Sequence, residues 1–479
     1  MTGKQIFWNK SIETDISEIV QEILHYVDSQ RDNGTLNPNY YDSILLLIAE
    51  ILPYVKEKER WTDLGYLICR NIKESIENYG YQHRTAMFGG LGSQCFAVNA
   101  FCQESNLLQK FAKSMNQLLF LAIDKKLLQL KKAPVCDSNH DMISGISGAV
   151  YYLLDCDYTK EEKHILKACI EYLVALTRDT KFEGKSIIKF HVLQPNQNPN
   201  FNQEKFKRGN INFGLAHGML GPLIALAKAH AKGFNIEGLK DGIEKVYHLY
   251  EVFQVVNEEK IPCWPGPMTV EEYWNGTCNP ENLHISSSWC YGNAGVMRGL
   301  QKVAGYMGWK EKEQAHVETM IRFFSQNIKT YDLYSPSLCH GFSSLVAIQM
   351  CAYSSYRNPK LLTNLERHCS ATSFLRNWDS ILEKKRANLR SISEPARLRQ
   401  PPPRSTGAAH ARGRAQSIRE ERRIAAPPVL FALLWVRLLP ALYGPFCGPL
   451  RPFGGCPWGV TPPARECLPP APPDTRRRG

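Results

Sequence analysis

Ser288-Trp289-Cys290-Tyr291-Gly292 and Ser337-Leu338-Cys339-His340-Gly341 are two versions of one local pattern. In each, a cysteine stands two residues ahead of a glycine, and the glycine opens a run of small and apolar residues. The same kind of start recurs at Gly89-Gly90-Leu91-Gly92, Gly145-Ile146-Ser147-Gly148 and Gly218-Met219-Leu220-Gly221. Successive starts lie 56, 73, 74 and 49 residues apart, an irregular repeat. Between them run amphipathic stretches with apolar residues three and four apart, such as Leu107 to Lys131 and Glu311 to Thr330. Residues 11 to 30 read as a half-exposed helix of this kind, and residues 42 to 56 as a nearly buried one closed near Pro53. The unit is an outer helix, a loop, then a glycine-led inner helix. A ring of such hairpins gives an all-α barrel whose inner-helix N-termini gather at one end, where their loops can form a site.

Two longer intervals break the rhythm. Residues 181–212 contain the strand-like Ser186-Ile187-Ile188-Lys189-Phe190-His191-Val192 and an Asn/Pro/Gln-rich loop. Residues 261–274 contain Pro262, Pro265 and Gly266. Both read as extended excursions on the site face, suited to holding a peptide.

The net charge of +12 suggests nucleic acid or an anionic membrane, but its distribution argues against both. Residues 1–383 carry 40 Lys+Arg against 41 Asp+Glu, a net of −1, whereas residues 384–479 carry 18 against 5, a net of +13. That tail has no lysine after Lys385 and holds 17 of the 29 prolines. It is expected to be a disordered, Arg/Pro-rich segment of foreign or frame-shifted origin, leaving residues 1–370 as the helical domain. Its apolar patch, Val429 to Leu439, is too short to span a bilayer and contains Arg437. Twelve of the 15 cysteines lie scattered through the body with no Cys-x-x-Cys pair, and no signal peptide is evident. A cytoplasmic chain with free thiols is the expectation.

Cys290, Cys339 and His340 together offer two thiolates and one imidazole. Either cysteine alone reads as a small buried hydrophobe. Two at matching places in consecutive repeats, one with a histidine beside it, read as the ligands of a Zn2+ ion with its fourth position open, a catalytic arrangement. His217 precedes Gly218 and so faces the same mouth. Asp141 lies four residues before Gly145, where it would either cap the helix or act in the site. Tyr291 would either pack or donate to an oxyanion.

Trp-Cys-Tyr-Gly at residues 289–292, Cys-His-Gly at 339–341 and Ala-His-Gly at 216–218 resemble the lanthionine synthetase C-like family, the lantibiotic cyclases, over roughly residues 1 to 370. The resemblance implies an α/α toroid and a zinc-dependent enzyme. It would add a peptide cysteine thiolate to dehydroalanine or dehydrobutyrine, closing a thioether ring. Cys290, Cys339 and His340 would bind zinc, with His217 the acid that protonates the enolate and Asp141 its orienting partner. A dehydrated precursor peptide, a dehydratase and an export transporter are the implied partners, with any peripheral membrane association arising through them and no nucleic acid involved. The chain departs from the family twice. Many cyclases have arginine where Ser286 stands, and their closing, seventh hairpin follows Cys-His-Gly, where this chain soon enters the tail. A non-catalytic zinc-bound peptide- or thiol-binding protein on the same scaffold is the alternative. A zinc hydrolase is disfavoured, because hydrolytic zinc usually takes nitrogen and oxygen ligands.

Overall fold

The glycine-led runs are helical in the computed structural model, which describes residues 21–373 apart from positions 22, 23, 26, 35, 54, 56, 82, 83, 284, 285 and 336. The basic tail lies outside the described residues, as does most of the amphipathic stretch 11–30; the expectation that the last hairpin is missing falls there too. In chain order the principal helices are α1 (Tyr41–Ile51), α2 (Lys58–Tyr79), α3 (Leu91–Ser105), α4 (Gln109–Leu130), α5 (Ile146–Leu153), α6 (Lys160–Thr177), α7 (Leu220–Ala231), α8 (Leu239–Val252), α9 (Asn293–Met307), α10 (Lys310–Phe324), α11 (Phe342–Tyr356) and α12 (Leu365–Ser373).

Their burial separates two kinds. The even-numbered helices α2 to α10 bury one stripe, as in α2, where Trp61, Leu64, Ile68, Cys69 and Ile72 face inward at helical spacing. The odd-numbered helices are buried over most of their surface. In α5 every residue is buried, and α9 is buried from Asn293 through Ala304. Inner helices pack on inner helices, α1 on α3, α5 on α7, α7 on α9 and α9 on α11. Outer helices lie against them, α4 on α3 and α5, α6 on α5 and α7, α8 on α7 and α10 on α9. This is an α/α toroid with a continuous core, each fully buried aliphatic or aromatic side chain contributing roughly 1.5–3 kcal/mol.

Helix boundaries follow local chemistry. Thr159 and Glu162 form a reciprocal capping box ahead of α6. The third glycine-led helix, α7, begins at Leu220, two residues after the expected start at Gly218. Pro222, which lacks an N–H, falls in its first turn, where that donor has no helical partner.

The excursions contain small antiparallel sheets. β1 (Asp179–Phe182) pairs with β2 (Lys185–Ile188), so the expected strand begins early and ends at Ile188. β3 (Asn210–Asn212) pairs with β6 (Pro267–Thr269), and β4 (Val255–Val256) with β5 (Pro262–Cys263). The β3–β6 pair joins the two excursions and sets Asn212 directly upstream of the His217 loop. Among the described residues, no helix is long and apolar enough to cross a membrane.

Candidate metal and proton-transfer site

The loop ahead of each glycine-led inner helix is the same object five times over, and its glycine is required by close approach. A Cβ placed on Gly292 would meet the Ser286 carbonyl O and the Ser288 N at 2.2 Å each. On Gly341 it would meet the Ser335 O at 2.1 Å and the Ser337 N at 2.6 Å. Gly218 stands in the same relation to the Asn212 O and the Gly214 N, Gly145 to the Asp141 N, and Gly90 to the Ala86 N and Arg84 O. The loop folds back over its own helix start, so no side chain fits at the glycine. Although its helix is assigned from Leu220, Gly218 therefore belongs to the series.

This register fixes which residues are equivalent. Immediately before the glycine stand His217, Tyr291 and His340; two before it stand Cys290 and Cys339; four before it stand Asp141, Ser288 and Ser337. Backbone bonds stitch neighbouring loops together in a repeated way. The N–H three residues before one glycine donates to the carbonyl two residues before the next. Met87 donates to Ile143 (2.9 Å), Met142 to Ala216 (3.2 Å) and Leu215 to Cys290 (2.8 Å). Side chains from different hairpins thus share one mouth.

At one side of that mouth a ligand atom from each of Cys290, Cys339 and His340 lies within 4.8 Å of the other two. The Cys290 Sγ is buried, 3.2 Å from the Cys339 carbonyl O and 3.7 Å from the Ser288 Oγ. The Cys339 Sγ is 4.0 Å from the His340 Nε2. Cys339 is half-buried and His340 exposed, so the cluster opens to solvent on its histidine side. Burial pushes the Cys290 thiol up. Hydrogen bonds from Cys339 and His340 and the His340 charge outweigh burial and hold it well below the ordinary thiol range. Tetrahedral zinc with bonds of about 2.3 Å to sulfur sets its ligand sulfurs about 3.8 Å apart. A closure of at most about 1 Å would bring this donor set to that geometry, and soft thiolates with one imidazole suit zinc.

Beside it, the His217 Nδ1 and the Asp141 Oδ2 are 2.6 Å apart. The other oxygen, Asp141 Oδ1, accepts from the backbone N–H groups of Ile143 (3.0 Å), Ser144 (2.6 Å) and Gly145 (2.7 Å). Asp141 therefore braces the loop ahead of α5 and pairs with His217 at once; α5 starts after Gly145, whose cap position has no side-chain hydrogen bond, so Asp141 is not its helix cap. Its side chain is fully buried, and that of His217 is 40% exposed. Burial pushes His217 down, but the Asp141 charge and hydrogen bond overcome it and raise the imidazole to about 9. Burial pushes Asp141 up, and His217 with the loop N–H groups brings its carboxyl below the ordinary range. The Tyr291 ring lies 6.4 Å from that of His217 between centroids, and burial and the nearby Asp137 raise its phenol.

Sequence reasoning overlooked three residues here. Asn212 donates from Nδ2 to the Asp137 Oδ2 (3.3 Å) and to the His217 carbonyl O (3.2 Å), and its Oδ1 accepts from the Gly214 N–H (3.0 Å). Ser288 flanks the Cys290 sulfur. The available signals were position alone: Asp137 precedes Asp141 by the four residues that separate Asp141 from Gly145, and Ser288 matches Asp141 in register. Ser286, at the place of the expected arginine, is half-buried and lends its backbone to the turn beneath Gly292.

The fold and site define a helical toroid with a cluster of soft donor atoms and a histidine–aspartate pair at its mouth. A profile described as Lanthionine synthetase C-like protein matches residues 36–393. The chain belongs to that family. It is 24% identical over 306 residues to the nisin biosynthesis protein NisC of Lactococcus lactis subsp. lactis, covering 64% of this chain and 70% of that one. A solved nisin cyclase structure shares the fold, with a TM-score of 0.63 and 21% identity over 78% of this chain and 88% of the other.

Proposed function

We propose that the protein closes thioether rings in a dehydrated precursor peptide, using Cys290, Cys339 and His340 to hold Zn2+ and His217 to supply a proton. The observation that supports this reading is the convergence of three soft donors, from two hairpins, beside the His217–Asp141 pair. A bound zinc ion would supply the acidity that turns a substrate cysteine into a thiolate. The thiolate sulfur adds to the β-carbon of a dehydroalanine or dehydrobutyrine; a C–S bond forms and the alkene pair moves into an enolate. His217, charged at neutral pH, gives its proton to the α-carbon, and solvent restores it. Asp141 binds the Nδ1–H, leaving Nε2 for the substrate. Tyr291 keeps its phenol proton and can donate to the enolate oxygen. The substrate must already be dehydrated, so a dehydratase acts before this protein, and an export transporter would act after it.

Zinc analysis of the purified chain should give about one ion per molecule, and Cys339→Ala should abolish it. With a dehydrated, cysteine-containing peptide, free thiols open to alkylation should disappear as rings close. Zinc bound with thiols persisting would instead establish the non-catalytic peptide- or thiol-binding alternative.

A further inference from the structure

Behind the His217–Asp141 pair lies a second carboxyl, on the turn Asp137–His140. The Asp137 side chain is 13% exposed, and its Oδ2 accepts from Asn212. Its Oδ1 is buried with no hydrogen-bond partner, 4.0 Å from the His140 Nε2. We propose that Asp137 is a further functional residue of this site, a positioning carboxyl that acts on His217 through Asn212. The proposal rests on the reading of His217 as proton donor.

The Asn212 amide ties three things at once: the Asp137 carboxyl, the backbone of His217 and the Gly214 N–H. The main-chain carbonyl of Asn212 accepts from the Met219 N–H at 2.9 Å, at the foot of α7. The loop that presents His217 is thus fastened at both ends to one side chain, and Asp137 orients that side chain. The orphaned Oδ1 argues for a carboxyl that carries a proton, since a buried carboxylate oxygen without a donor is costly. The titratable groups facing it are His140 on its own turn, Asp141 in the following loop, His217 ahead of α7 and Tyr291 ahead of α9. Burial and the Asp141 charge raise Asp137 to about 7, and burial keeps His140 neutral, at about 4. Above neutrality Asp137 becomes a second anion near the imidazolium and helps it keep its proton.

The test compares wild type with Asp137→Asn, in which a side-chain oxygen can still accept from Asn212 while the charge is lost. Near pH 6 the loss in kcat should be smaller than the loss at alkaline pH. Above pH 9 it should fall by roughly five- to tenfold, the effect of moving the alkaline limb down one unit. An equal loss at every pH would mean a merely structural role and overturn the inference. Infrared difference spectra of the wild-type protein, which depend on neither turnover nor the variant's folding, should show a protonated-carboxyl band lost through pH 7. Absence of that band would also overturn it. If no ring closure occurs at all, the band still reports on Asp137 and separates the two failures.

Discussion

The sulfurs of Cys290 and Cys339 converge from equivalent places in consecutive hairpins, each two residues ahead of its helix glycine, with Cys290 Sγ 3.2 Å from the carbonyl of Cys339. Equal register explains why residues 49 apart share one locus.

Removing either sulfur should therefore empty the site without unfolding the toroid. Cys290→Ala and Cys339→Ala are expected to bind no zinc by elemental analysis, while thermal melts shift by no more than about 1–2 kcal/mol for the loss of one small side chain. Stoichiometric zinc in both variants would refute the ligand assignment.

Asp141→Asn keeps an acceptor for the three loop N–H groups but removes the charge that holds the proton on His217. Ring closure should slow by about 10²-fold, the usual weight of a positioned acid. Zinc content should stay at one. A kcat within twofold of wild type would remove His217–Asp141 from the mechanism.

The same pair sets a pH window. His217 is raised from 6.5 to about 9, so its stabilising effect is complete below 6.5 and is lost as pH climbs through 9. Asp141 is depressed, so its contribution is present above its ordinary 3.8 and is lost as pH falls through its lowered value. Denaturant unfolding of wild type against His217→Gln should show the largest difference between about pH 4 and 6.5, shrinking toward 9. Activity should share the alkaline decline. A difference independent of pH would mean that the pair contributes no charge interaction.

Gly341→Ala and Gly233→Ala separate crowding from backbone conformation. The first drives a methyl into the Ser335 carbonyl O at 2.1 Å and should cost about 3 kcal/mol. The second meets nothing within 4 Å but sits at φ +79°, so only the left-handed penalty of roughly 1–2 kcal/mol applies. Equal losses in chemical denaturation would remove the argument that the folded-back loop demands glycine.

The hairpin alternation was legible because burial imposes it on composition: α2 shows one apolar stripe, whereas α5 shows none because all of it is buried. Cys290, Cys339, His340 and His217 could be found because each stands one or two residues ahead of a glycine that fixes its place. Asn212 and Asp137 could not, since their roles arise from a β-pair and a hydrogen bond between residues 75 apart. Asp141 was visible as an acid at a helix start; that its two oxygens serve two partners is a fact of three dimensions.

The ladder from Met87 to Cys290 is made of main-chain atoms alone, so its shape is indifferent to what each rung displays. Thiol, imidazole, phenol and carboxyl are then interchangeable fittings on a common chassis. Phe88 and Ile143 occupy the rungs matching the two cysteines, and they mark where new reactivity could be grafted without redesigning the barrel.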